Sequence, residues 1–164
     1  MKAFLALILL VAAERIAELV VSSRNLEWSK AHGGKEFGAG HYPVMVALHT
    51  GLLIGAVCEA SVRRRRFWPM LVFVAGAQGL RWWCITTLGR QWNTRVVVVP
   101  GAARVIGGPY RYVRHPNYVA VVLEGAALPL AGGAWITALV FSVANAALLR
   151  TRIRVENAAL QSLS

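Results

Sequence analysis

Residues that could bind a polar ligand are concentrated in one short stretch, residues 107–118. The stretch reads Gly-Gly-Pro-Tyr-Arg-Tyr-Val-Arg-His-Pro-Asn-Tyr and is followed at once by an apolar run. Polar groups buried beside such a run need hydrogen-bonded partners, and a bound ligand would supply them. A basic and aromatic belt at a membrane interface would look partly similar. Such a belt would not need the His115-Pro116 pair, or the acidic Glu124 inside the next apolar run.

A second candidate pair lies near the C-terminus. Arg152 and Glu156 are four residues apart and therefore share one face of a helix, whereas Arg154 points nearly opposite. An arginine can steer an anionic substrate through charge-assisted hydrogen bonds. We therefore predict that Arg152 and Glu156 are catalytic. The alternative is that the three arginines around residue 152 only anchor a helix end among lipid headgroups.

Charged residues also interrupt the apolar runs. Glu14 and Glu18 are one helical turn apart with Arg15 beside them, and Glu124 lies mid-run. Charges at membrane depth face protein or water and pair where they can. A polar seam between helices and a functional role both remain open for these residues, and Glu124 is counted as a third catalytic candidate.

Five apolar runs must position these residues. The first is nineteen residues long, which as a helix spans about 30 Å, enough to cross a bilayer core. Gly132-Gly133 separates the last two runs, which predicts a tight helical hairpin. Because the runs are continuous rather than alternating, they predict an all-α integral membrane protein of about five transmembrane or hairpin helices, not a β-barrel. The runs are residues 3–21, 42–62, 67–88, 118–130 and 134–149.

The composition agrees with a membrane protein. Of 164 residues, 57% are hydrophobic and only 15% charged, with mean hydropathy +0.52. This excludes a disordered chain, a coiled coil and a disulfide scaffold. The net charge of +11 is concentrated at the ends of apolar runs, which favours a membrane surface over nucleic acid as partner. Cys58 and Cys84 lie inside apolar stretches and form no metal-binding pattern, so we expect no metal.

Residues 90–117 form the most polar part of the chain. Val96 to Val99 are four β-branched residues followed by Pro100-Gly101, which predicts a short extended segment and a turn. We call residues 90–117 the cap. The chain then forms a single domain, with three helices in residues 1–88 and the cap, hairpin and tail in residues 89–164. Residues 22–40 are expected to form a polar connection.

The charges also predict an orientation. With the N-terminus outside, the inner segments carry eleven lysines and arginines and the outer ones five. The positive-inside rule favours this choice, which puts the cap in the cytoplasm. The block of four arginines at residues 63–66 opposes it.

Three motifs together resemble a known family. The sequence from about residue 88 to residue 160 is similar to the isoprenylcysteine carboxyl methyltransferase family of membrane enzymes, through Gly108-Pro109-Tyr110, Arg114-His115-Pro116-x-Tyr118 and Arg152-Ile-Arg-Val-Glu156. The N-terminal half resembles the small bacterial branch that accompanies type III polyketide synthases, through Arg24-Asn25, His41-Tyr42-Pro43 and His49.

The resemblance implies S-adenosylmethionine as cofactor, held by the C-terminal half. No Gly-x-Gly-x-x-Gly motif follows a strand, so no Rossmann domain is expected. The family pattern ends in two acids, but here Asn157 replaces the second and leaves Glu156 alone. The implied cofactor-binding residues are Ala102, Ala103, Arg104, Val105, Gly108, Tyr110, His115, Pro116 and Tyr118.

The implied activity is O-methylation of a lipid-like acceptor. The acceptor would offer an isoprenylcysteine-like carboxylate or the acidic hydroxyl of a long-chain alkylpyrone or related polyketide. Either is a nucleophile near neutral pH, so positioning matters more than a strong base. We expect a bacterial cytoplasmic membrane location, a hydrophobic small-molecule acceptor and a type III polyketide synthase as partner. The alternatives are a non-catalytic scaffold or binding protein and a transporter fragment; the motif at residues 108–118 favours the enzyme.

Overall fold

Five helices and one small β-ribbon make up the chain. The computed structural model describes residues 1–63 and 65–162, so Arg64 of the predicted arginine block lies outside the described residues. The predicted all-α architecture is confirmed, with two short strands added. In chain order the elements are α1 (Lys2–Ala31), β1 (Lys35–Phe37), α2 (His41–Arg63), α3 (Met70–Leu88), β2 (Val96–Val98), α4 (Pro116–Ala131) and α5 (Trp135–Ser162). Short 3₁₀ turns occupy Gly89–Gln91 and Gly108–Arg111.

Each predicted apolar run lies in a helix, but two helices continue beyond their apolar part. The helix α1 extends past residue 21 to Ala31, and α5 extends past residue 149 to Ser162. In α1 the added turns bury Ser22, Asn25 and Ser29, which follow one helical face. Apolar periodicity alone does not detect such a polar face, so the polar connection expected at residues 22–40 was wrong over its first ten residues.

The polar face of α1 fixes the start of the cap. Ser22 Oγ donates to Asn93 Oδ1 at 2.9 Å and lies 2.8 Å from Thr94 Oγ1. Asn25 Nδ2 donates to the carbonyl oxygen of Trp92 at 2.7 Å. These bonds satisfy backbone and side-chain groups of the loop between α3 and β2, which would otherwise be buried without partners.

A two-stranded antiparallel ribbon joins the cap to the connection between α1 and α2. Strand β1 pairs with β2 with Glu36 opposite Val97. The extended segment predicted around Val96 is therefore confirmed, while its partner strand was not predicted. Arg95 Nη1 lies 2.7 Å from Glu36 Oε1, and the Arg95 guanidinium lies 4.0 Å from the ring centre of Tyr42. The ribbon is thereby attached to the start of α2.

An apolar core fills the half of the bundle farthest from the cap. Small residues there let the helices approach closely, as in membrane bundles. Gly133, with φ of +75°, turns the chain between α4 and α5, so the hairpin predicted from the glycine pair is confirmed. The core consists of Phe4, Ile8, Val11, Ala56, Ala60, Val74, Ala127, Leu128 and Ala131.

The opposite end from the cap holds the N-terminus and the described part of the arginine block. Arg66 Nη1 donates to the carbonyl oxygen of Gly132 at 3.1 Å, and Arg66 Nη2 donates to Met1 Sδ at 3.0 Å. The outer segments of the predicted orientation, which are the N-terminus and the described part of the arginine block, therefore lie together at one end of the bundle. Which end faces the cytoplasm stays a prediction.

Large apolar side chains cover the outside of the helices. Leu10, Val72 and Val140 are 67%, 74% and 62% exposed. An apolar exterior of this extent is typical of contact with lipid or a partner. In the described residues, α2 and α5 are long and apolar enough to cross a membrane, while α4 is a shorter apolar helix. The finer expectation of about five membrane helices stays a prediction.

A charge cluster joins three helices in the middle of the bundle. Arg15 of α1 lies 2.6 Å from Glu18 and 2.8 Å from Glu124 of α4. Arg81 of α3 lies 2.5 Å from Glu124 and 3.5 Å from Glu18. Arg15 also donates to Gln78 Oε1 at 3.0 Å. We call these five residues the polar seam. Its two arginines and two glutamates balance in charge, as burial requires.

The seam predicts that losing the charge of Glu124 destabilises the protein more than losing the charge of Glu14, an acid of α1 outside the seam. Glu124→Gln leaves one excess positive charge buried, and we expect a loss of about 3 kcal/mol of unfolding free energy. Glu14→Gln is the control, because Glu14 only accepts a bond from Trp82 Nε1 near the surface. Urea unfolding in detergent measures both. Equal losses in the two variants would contradict a structural role for the seam.

Candidate functional site

A cavity of about 700 Å³ opens between the cap and the helices. One face of α5 forms its longest wall, because the lining residues of this helix recur at helical spacing. Arg152 and Glu156 lie at the end of the cavity beside the cap, which we call the cap end. Asn145 lies deeper in the bundle, with His49 of α2 and part of the polar seam, and we call that region the inner end. The lining residues of α5 are Asn145, Leu148, Leu149, Arg152, Glu156, Asn157, Leu160 and Gln161.

The cap end holds a hydrogen-bonded trio of side chains. Tyr118 Oη donates to Glu156 Oε2 at 2.6 Å, and His115 Nδ1 lies 3.4 Å from Glu156 Oε1. The rings of His115 and Tyr118 stack with centroids 5.5 Å apart. Pro116 is the first residue of α4, where a backbone N–H would have no partner within the helix, so the proline is tolerated there. It starts the helix between His115 and Tyr118. The hydrogen bond to Glu156 raises the pKa of His115, since it favours the imidazolium form.

Arg152 connects α5 to the cap. Its Nη2 donates to the carbonyl oxygen of Thr94 at 2.7 Å, and its guanidinium lies 6.0 Å from the ring centre of Tyr118. Arg152 is buried and lines the cavity, whereas Arg154 is exposed. The structure thus brings together Arg152 and Glu156 and leaves Arg154 outside. Their catalytic roles stay predictions.

The segment before α4 contributes a tyrosine and a tight backbone turn. Tyr110 lines the cavity, and burial raises the pKa of its hydroxyl, which therefore stays protonated and can serve as a hydrogen-bond donor. Gly108 has φ of +55°, and a Cβ there would lie 2.5 Å from Thr87 Oγ1. Gly108 therefore lets the turn pack against α3.

The predicted site residues divide into two groups. Eight line the cavity: Ala102, Arg104, Val105, Tyr110, His115, Tyr118, Arg152 and Glu156. The other four do not line it. Ala103 offers its carbonyl oxygen to Gln91, and Gly108 and Pro116 shape the backbone. Glu124 lies in the polar seam, bonded to Arg15 and Arg81.

Sequence reasoning assigned no role to several other polar residues in the wall. His49 and Asn145 each interrupt an apolar run, and this interruption is the signal that could have identified them. Asn117 follows the His-Pro pair, and Asn93 and Thr94 lie in the loop held by α1. These side chains give the cavity polar groups along its whole length.

The charges at the cap end favour an anionic group. Arg104, Arg114 and Arg152 line the cavity there, with Glu156 as the acid among them. Buried atoms at this end without a hydrogen-bond partner within the protein include His115 Nε2, Asn117 Oδ1 and Arg152 Nε, and Trp92 Nε1 of the cap. Unpaired buried polar atoms are costly, so they indicate a ligand or water. Among the described residues no group of three His, Cys, Asp or Glu side chains could hold a metal.

Comparisons with known proteins agree with this architecture. The model of the isoprenylcysteine carboxyl methyltransferase (ICMT) family matches residues 70–162, which include α3, the cap, α4 and α5. The chain is 36% identical over 165 residues to the uncharacterized protein YpbQ of Bacillus subtilis (strain 168), and the match covers 98% of each chain. No solved structure matches significantly. With more than half of its length matched by the family model, the chain belongs to the isoprenylcysteine carboxyl methyltransferase family.

Proposed function

We propose that the protein is a membrane S-adenosylmethionine-dependent O-methyltransferase whose cavity holds the methyl donor at the cap end and a lipid-like acceptor deeper in the bundle. The family is membrane-embedded and uses S-adenosylmethionine. The observation that carries the proposal is one continuous cavity, which joins a positively charged, hydrogen-bonding end to a deeper part lined by apolar side chains with polar groups among them.

The residues at the cap end fit the donor's functional groups. The donor carries a carboxylate, an ammonium group and an adenosine moiety. Arg104 or Arg114 would bind the carboxylate, and Glu156 would attract the ammonium group. His115 Nε2 and Asn117 Oδ1, which have no protein partner, are free to bond to the polar edge of the adenosine. Tyr118 keeps Glu156 in place through its 2.6 Å hydrogen bond.

Methyl transfer here depends on positioning. The bound donor supplies an electrophilic methyl group on its sulfonium. Arg152 faces the cavity on the same helical face as Glu156, so it can attract an anionic acceptor to the donor. Its bond to Thr94 and its place above Tyr118 restrict its rotamers, which lowers the entropy cost of this orientation.

The deeper wall suits a long apolar acceptor. Leu53 of α2, Val121 of α4 and the pair Leu148 and Leu149 of α5 line it. An isoprenylcysteine-like carboxylate or the acidic hydroxyl of an alkylpyrone would each combine an anionic head with a chain that fits these residues. A type III polyketide synthase would supply the second kind of acceptor. The cap then faces the cytoplasm, where the donor is available, in a bacterial cytoplasmic membrane.

Donor binding is the first test. Tyr110→Ala and His115→Ala remove cavity-lining side chains from the cap end, and we expect each to weaken S-adenosylhomocysteine binding about tenfold, roughly 1.4 kcal/mol. His32→Ala is the matched control, since His32 is exposed and its ring bonds to the carbonyl oxygen of Trp28 and stacks on the Trp28 ring, away from the cavity. Calorimetry in detergent measures the affinities. A wild-type protein that binds no S-adenosylhomocysteine would instead favour a scaffold or transporter.

The arginines of α5 provide the second test. Arg152→Ala should lower the rate of methyl transfer tenfold or more, about 1.4 kcal/mol of transition-state stabilisation, because the guanidinium that attracts and orients the anionic acceptor is removed. Arg154→Ala should stay near the wild-type rate, because Arg154 is exposed on the other side of the helix. Transfer of a labelled methyl group to a lipid acceptor gives both rates. Similar rates for the two variants would show that the arginines only anchor the helix.

A further inference from the structure

Two polar side chains at the inner end of the cavity have no part in donor binding as proposed above. Asn145 of α5 is 2% exposed, and its Oδ1 has no hydrogen-bond partner within the protein. His49 of α2 lines the same cavity. A buried amide oxygen without a partner costs about 1–3 kcal/mol, so a ligand that bonds to it would recover that energy.

The hydrogen bond of His49 determines which ring nitrogen is free. His49 Nδ1 lies 2.9 Å from the carbonyl oxygen of Met45. A carbonyl oxygen only accepts, so Nδ1 carries the proton. In the neutral imidazole, Nε2 is then left as a hydrogen-bond acceptor. The cavity therefore has a fixed acceptor nitrogen on α2, held by the helix backbone.

One aromatic contact brings His49 close to Asn145. The His49 ring meets Phe141 edge to face, with centroids 5.3 Å apart. Phe141 and Asn145 are four residues apart and therefore neighbours on one face of α5. Both polar residues consequently border the same part of the cavity from opposite helices.

The position of Asn145 along α5 separates this pair from the proposed donor site. Asn145 precedes Arg152 by two helical turns, about 10 Å along the axis. A ligand that contacts both Arg152 and Asn145 can carry a second polar group about 10 Å from its anionic head. Alternatively, a polar ring can lie between the two residues and contact both. The two arginines of the polar seam also border the inner end; their Nε atoms have no hydrogen-bond partner, although Arg81 Nε lies 3.5 Å from Glu18 Oε1.

We propose that His49 and Asn145 form the acceptor subsite, in which His49 Nε2 accepts a hydrogen bond from a hydroxyl of the acceptor and the Asn145 amide binds a neighbouring oxygen. This inference rests on the proposed methyltransferase function. It assigns the two residues to recognition of the acceptor and not of the donor. A simple hydrocarbon chain would leave both groups unpaired, so the subsite selects acceptors that carry polar atoms inside the bundle.

Steady-state kinetics with a long-chain alkyl hydroxypyrone as the probe acceptor tests the subsite. His49→Phe and Asn145→Leu remove the hydrogen-bonding atoms with little change of volume, and each should raise the KM for the probe tenfold or more. His49→Gln retains an acceptor atom near the Nε2 position and should recover most of that loss. S-adenosylhomocysteine affinity should stay within twofold of wild type in all three variants. His32→Ala again serves as the control histidine.

Each other outcome overturns the subsite. An unchanged KM in His49→Phe and Asn145→Leu would remove both residues from acceptor binding. If the variants also lose tenfold or more of their affinity for S-adenosylhomocysteine, the two residues serve donor binding or folding. If His49→Gln has the same raised KM as His49→Phe while its donor affinity is normal, the shape of the side chain matters and its hydrogen bond does not. A wild-type protein that binds the donor product but does not methylate the probe would also contradict the subsite. If it binds no donor product at all, the proposed function itself fails.

Discussion

The balanced polar seam is the interaction on which the rest of the structure depends. Arg15, Glu18, Arg81 and Glu124 place two positive and two negative charges inside a bundle with an apolar exterior, where an unpaired charge would be very costly. Their bonds connect α1, α3 and α4, so these helices can pack in only one register. The seam also closes the inner end of the cavity, because three of its members line that wall. The depth of the site is therefore fixed by charge pairing as well as by packing.

The cap depends on polar contacts of a different kind. The last turns of α1 hold the loop after α3 through Ser22 and Asn25, and Arg152 of α5 holds the same loop through Thr94. One small loop thus joins the first and last helices. Because Arg152 and Glu156 share a face of α5, the contact that anchors the cap also sets the position of the proposed reacting groups. In Arg152 an observed structural contact therefore coincides with a proposed chemical role.

The sequence was sufficient to predict the helices and the cap end of the site, but not the inner end. Apolar runs, the glycine pair and the β-branched segment at Val96 gave the main elements, since each follows from local chemistry. The added turns of α1 and strand β1 depend on partners distant in the chain, so local patterns could not reveal them. Glu124 was counted as a catalytic candidate because it lies inside an apolar run. Its two arginine partners come from other helices, so local patterns could not reveal them, and its catalytic role stays a prediction. His49 and Asn145 were visible as polar interruptions, but only the contact with Phe141 shows that they are neighbours.

A structure of the protein with bound S-adenosylhomocysteine tests the central claim, that one cavity holds the donor at the cap and the acceptor within the bundle. We expect ligand density between residues 102–105 and the Arg152–Glu156 face of α5, with His115 and Tyr118 in contact and the deeper part of the cavity left free for an acceptor. Density at the opposite end, beside Arg66 and Gly132, would contradict it. So would density that fills the inner end around Asn145, because no room for an acceptor would remain there.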